Sequence, residues 1–132
     1  MPFVLSVSGS TILSETSRLH ELFSWGCDAL EIGSFADAQA YDYVLRQCRA
    51  RGMKLAIHSP FYRDGNRYGL LANEASAWAE LERDLSLAKQ DGLSYLLVHF
   101  PYLRQPGEGD LLALIQQAAQ RLVALSRAHG VP

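Results

Sequence analysis

Two segments of the chain share one pattern. His58-Ser59-Pro60-Phe61 and His99-Phe100-Pro101-Tyr102 each place a histidine, a spacer, a proline and an aromatic ring directly after an apolar run. Near neutral pH an imidazole can ligate a metal, accept a hydrogen bond or move a proton. Proline in that place removes a backbone donor and fixes φ, so it ends a strand and leaves the preceding histidine at the rim. Glu31, inside the apolar Ala29-Leu30-Glu31-Ile32, adds a carboxylate that would be costly to bury unpaired.

The segments that carry these groups read as β-strands. Residues 3–7, 29–32, 54–58 and 95–99 are short, apolar and β-prone. Alternation puts Leu30, Ile32, Leu55, Ile57, Leu96 and Val98 on one face, suited to packing against helices. The other face then carries Ala29, Glu31, Ala56, His58, Leu97 and His99. A carboxylate and two imidazoles thus point the same way at the carboxyl ends of successive strands, where parallel α/β folds hold their ligands. Adjacent strands lie ~4.8 Å apart, so both imidazoles can reach one metal ion at about 2.0 to 2.1 Å. Glu31 suits a metal, a sugar hydroxyl or a proton transfer.

Between the strands the periodicity is helical. Ser17 can cap a short helix with Leu19, Leu22 and Phe23 at i, i+3 and i+4, ending at Gly26. A helix over 37–51 repeats Tyr41, Val44, Leu45 and Cys48 and stops at Gly52. Asn73 opens a third, with Trp78, Leu81, Leu85 and Ala88 on one face and a stop at Asp91-Gly92. Asp110 opens a fourth, with Leu111, Ile115, Ala118, Leu122 and Leu125 in register before His129-Gly130. Val131-Pro132 reads as the entry to a fifth strand. Strand alternating with helix four times specifies parallel strands joined by right-handed crossovers.

Two architectures use that plan, an open doubly wound sheet and a closed barrel. Ser8-Gly9-Ser10-Thr11, after the first strand, has neither GxGxxG nor GxxxxGK[ST], which counts against a phosphate-binding open sheet. An eightfold barrel needs about 250 residues, and the chain has 132. The expected fold is therefore α/β, the amino-terminal half of a TIM barrel with about four βα units over residues 1–132, truncated before strand five.

The segments Leu30-Glu31-Ile32, Ala56-Ile57-His58-Ser59-Pro60-Phe61 and Leu97-Val98-His99-Phe100-Pro101 resemble the xylose-isomerase-like TIM-barrel superfamily. That superfamily includes sugar isomerases and epimerases and the class II apurinic endonucleases. The resemblance implies that His58 and His99 bind substrate or metal, and that Glu31 serves in catalysis or substrate binding. It implies a divalent metal (zinc, manganese or magnesium) and a metal-dependent isomerase or epimerase acting on a sugar or sugar phosphate. A zinc-dependent apurinic endonuclease-like phosphodiesterase and a non-catalytic binding or assembly module are the alternatives. The family's remaining metal-binding carboxylates would fall beyond Pro132, so the 132-residue piece alone is expected to be inactive.

Arg63, Arg67 and Arg104 lie on the long loops above the same strand ends, where Arg63 and Arg67 could meet an anionic substrate. A formal charge of −2 lacks the basic excess of a surface that tracks phosphodiester, which lowers the odds of nucleic acid without excluding it. Apolar runs far short of the ~20 residues of a bilayer span, and an opening without a basic leader, give the expectation of a cytoplasmic protein with no membrane partner. Cys27 and Cys48 form no CxxC pair and read as reduced, half-buried thiols. His20 and His129 read as surface or capping residues, Trp25 and Trp78 as packing. Four βα units would leave both outer strands unpaired and the inward face open, so a homo-oligomer or a missing carboxy-terminal half is expected.

Overall fold

The structure, a computed structural model, describes residues 4–9, 15–33, 37–58, 75–98 and 111–132. Four parallel strands, β1 (Ser6–Ser8), β2 (Ala29–Ile32), β3 (Lys54–His58) and β4 (Leu96–Leu97), form one sheet in the order β1-β2-β3-β4. Three α-helices are interleaved with them: α1 (Ala38–Arg51), α2 (Ala75–Asp91) and α3 (Leu111–His129). A 3-10 helix (Thr16–Ser24) joins β1 to β2.

The alternation expected from the sequence is present in the register. Val7, Leu30 and Leu55 are lateral neighbours, as are Ile32, Ile57 and Leu96. These side chains join one apolar cluster with Leu22, Val44, Trp78 and Leu81 from the helices. Ala29 and Ala56, of opposite phase, are buried but lie outside that cluster. The helices therefore pack on one face of the sheet, and the other face carries Ser6, Ser8, Glu31 and His58. Consecutive strands pair without a reversal of order, so every connection steps in the same direction.

Each helical segment is followed by a glycine with φ between 65° and 68°, namely Gly26, Gly52, Gly92 and Gly130. After α1, the Gly52 amide donates to the Arg49 carbonyl at 3.2 Å and the Met53 amide to the Cys48 carbonyl at 2.9 Å. These bonds satisfy the last carbonyls and reverse the chain into the next strand, a turn that costs a residue with a Cβ about 1 to 2 kcal/mol. The next residue then buries its side chain under the helix just left, as Leu93 and Val131 do. Asp37 caps α1 by accepting from the Gln39 amide at 2.8 Å.

Three boundaries differ from the expectation. β1 occupies Ser6–Ser8 rather than residues 3–7, because Ser8 pairs with Glu31 and the Gly9 amide donates to the Glu31 carbonyl at 2.8 Å. β4 is confined to Leu96–Leu97 among the described residues. The short helix expected to be capped by Ser17 is a 3-10 helix with Ser17 inside it and Glu15 at the cap position. Its contacts repeat every three residues, the 3-10 period: Leu19 and Leu22 are both buried, and Arg18 pairs with Glu21 at 2.7 Å and Glu15 at 3.2 Å. Trp78 is buried as expected, whereas Trp25 is 38% exposed. Asn73, Asp110 and the loops carrying Ser59–Tyr68 and Phe100–Gly109 lie outside the described residues.

Candidate functional site

Three strands and the residue entering the fourth each bring a polar side chain of the candidate site to the face away from the helices. Ser6 comes from β1, Glu31 from β2 and His58 from the last position of β3. Tyr95 precedes β4 by one residue, and its carbonyl accepts from the Ile57 amide at 3.2 Å. Glu31 stands level with Ala56, and His58 lies one pleat further toward the carboxyl ends.

The carboxylate of Glu31 is the centre of the group. His58 Nδ1 lies 3.0 Å from Glu31 Oε1, with the two side chains 21% and 16% exposed. Tyr95 Oη donates to Glu31 Oε2 at 2.9 Å. Both oxygens are thus engaged, which meets the requirement that a largely buried carboxylate be paired. The phenol crosses β3 to reach β2, a path left open by the small side chain of Ala56. Burial raises the Tyr95 pKa and the bond to Glu31 raises it further, while the neighbouring Ser6 side chain acts the other way. Tyr95 is accordingly a neutral donor to Glu31. His58 Nδ1 faces a carboxylate oxygen at hydrogen-bond distance and is placed to donate to it.

Glu31 and His58, set on one face by the strand alternation, meet in the structure. Sequence reasoning missed Tyr95, although the alternation that aligned Leu97 and His99 extends back to position 95, and it missed Ser6. His99, Arg63 and Arg67 lie outside the described residues. His20 is exposed, and His129 is half-buried at the end of α3. Cys27 and Cys48 are free and more deeply buried than expected, and desolvation pushes the Cys48 thiol up to about 11.

Among the described residues no three His, Cys, Asp or Glu side chains group as a metal cage. The chemistry of the pair nonetheless suits a metal site in one respect. A histidine held through Nδ1 by a carboxylate offers Nε2 as the coordinating atom, the arrangement that orients histidine ligands in many metal centres. Glu31, with both oxygens occupied, fits the orienting role better than that of ligand.

A concavity of about 410 Å³ lies beside β4, lined by Leu85, Leu96, Val98, Leu122 and Val131. It has few polar groups and none of the site residues. Among the described residues no helix is long and apolar enough to cross a membrane. No protein-family model matches the chain, and no match is found among curated proteins or solved structures.

Proposed function

We propose that this chain is the amino-terminal part of a parallel β/α barrel that binds a sugar or sugar phosphate with a divalent metal and catalyses its isomerisation or epimerisation. The observation that carries this reading is the His58–Glu31 pair at the carboxyl end of β3, 3.0 Å apart, because that end is the ligand side of parallel barrels. Support for a barrel over an open sheet comes from the uninterrupted strand order and the single helix layer, since doubly wound sheets reverse direction and carry helices on both faces.

Within this reading His58 contacts the ligand through Nε2, and Glu31 holds the imbalance of charge and the ring's orientation. That assigns Glu31 a positioning role and leaves the proton-transferring base to another group. A bound divalent ion would polarise the substrate carbonyl and neighbouring hydroxyl. His99 would join His58 at the ion, and Arg63 and Arg67 would meet a phosphate if the substrate carries one. The open edge at β4 and the exposed Leu112 and Val123 of α3 would be covered by a second copy or by a carboxy-terminal half, and light scattering reads which.

Calorimetric titration of the chain with zinc and with manganese tests the metal. Weak binding that disappears in His58→Ala is the expected result. Binding that His58→Ala leaves intact removes His58 from the site, and an absence of any binding removes the metal.

A further inference from the structure

We propose that Tyr95 is a positioning residue of this site, fixing the Glu31 carboxylate and through it the proton on His58 Nδ1. The hydrogen bonds run in one direction. The phenol donates to Glu31 Oε2, and Glu31 Oε1 faces His58 Nδ1. A glutamate has three side-chain torsions, and one bond to His58 alone leaves the carboxylate able to rotate about the last of them. The Tyr95 bond, from a residue 64 positions away in the sequence, holds the second oxygen and removes that freedom.

The consequence falls on the imidazole. In water the two neutral tautomers of histidine differ little in energy, so the proton location is set by the partner of one nitrogen. An oriented Glu31 oxygen favours the Nδ1–H form. Nε2 is then an acceptor in the neutral ring, and the ligand class it selects is a divalent cation or a hydroxyl donor rather than a hydrogen-bond acceptor. Tyr95 and Glu31 thereby act together on one nitrogen.

The inference rests on the proposed role of His58 but is read without any ligand. Nitrogen-15 spectra of the histidine-labelled chain, with the His58 signals identified by their loss in His58→Gln, report the tautomer directly. The unaltered chain is expected to hold His58 mainly as Nδ1–H when neutral. Tyr95→Phe, which deletes one oxygen, is expected to lower the ratio of Nδ1–H to Nε2–H several-fold. If Tyr95→Phe does not fold, uniform replacement of tyrosine by 3-fluorotyrosine keeps the ring and strengthens the donor, and the ratio is expected to rise. A His58 tautomer ratio that neither change moves overturns the proposal, as does an unaltered chain with His58 mainly as Nε2–H. Failure of metal binding with the tautomer response intact would overturn the metal reading alone.

Discussion

The Leu96 amide donates to the Pro132 carbonyl at 2.9 Å. The segment leaving α3 therefore lies against β4, on the side away from β3, and Val131 beside it is 3% exposed within the main apolar cluster. The residues that read as an entry to a fifth strand occupy the first rung where one would pair. Val131→Ala is expected to cost about 1 to 2 kcal/mol, from the burial lost and the space left behind. The urea midpoint measures it, and a change below a few tenths would mean that this segment does not pack.

Alkaline pH tests the buried thiol. The Cys48 pKa is raised from its ordinary 9.0 to about 11, chiefly by burial and secondarily by Cys27. A raised acid favours the neutral form in the folded chain, so its contribution is fully present below about 9 and is lost as pH rises toward 11. A displacement of this size corresponds to roughly 3 kcal/mol at most. Tyr95 and Tyr41, both raised by burial and by carboxylate partners, add to the loss above their ordinary 10.0. Thermal unfolding followed across this range should show a steep fall that Cys48→Ala makes shallower between 9 and 11.

Removal of the central carboxylate should be felt beyond its own side chain. Glu31→Ala strips the partner from Tyr95 Oη and His58 Nδ1 together, and a cost of about 1 to 3 kcal/mol is expected. Glu21→Ala, which breaks a solvent-exposed pair with Arg18, is expected to cost clearly less, because exposed ion pairs contribute little. Equal effects in urea denaturation would mean that the Glu31 bonds contribute no more than a surface pair.

Gly52 is held at φ 65° with open space where a Cβ would stand. Gly52→Ala therefore meets no steric neighbour and loses only the backbone preference, about 1 kcal/mol, while Gly52→Asn should lose less. The two variants compared by thermal unfolding separate backbone strain from crowding. Gly9→Ala offers the contrast, since its Cβ would stand 3.1 Å from Leu22 Cδ2 in the core.

Most of the architecture was legible because two periods seldom overlap. Leu30, Ile32, Leu55 and Ile57 alternate in runs too short for a helix, and Tyr41, Val44, Leu45 and Cys48 repeat too regularly for a strand. The glycines after each helix fixed the stops. The first helix was less legible, because Leu19 and Leu22 lie three apart and satisfy both helical periods; the paired Arg18 and Glu21 favour the tighter one. Of the site, Glu31 and His58 could be placed by phase, but their meeting could not, since it depends on the register that sets Glu31 level with Ala56. Tyr95 escaped notice because a tyrosine at the start of a strand is ordinarily explained by packing.

Because each strand of the sheet pairs with its neighbours in sequence, stability should be distributed along the chain in a gradient. β2 and β3 have a strand on each side and the most buried residues, whereas β1 and β4 have one strand neighbour each. Hydrogen exchange should therefore be slowest at the amides that bond between β2 and β3, those of Leu30, Ile32, Ala56 and His58, and quicken toward either end, as in molecules that open from their ends inward. His58 belongs to the slow centre and Tyr95 to its faster flank. Fraying at that flank would release the phenol from Glu31 before the sheet beneath His58 opens, so the chemical identity of the imidazole nitrogen could fluctuate while the fold persists.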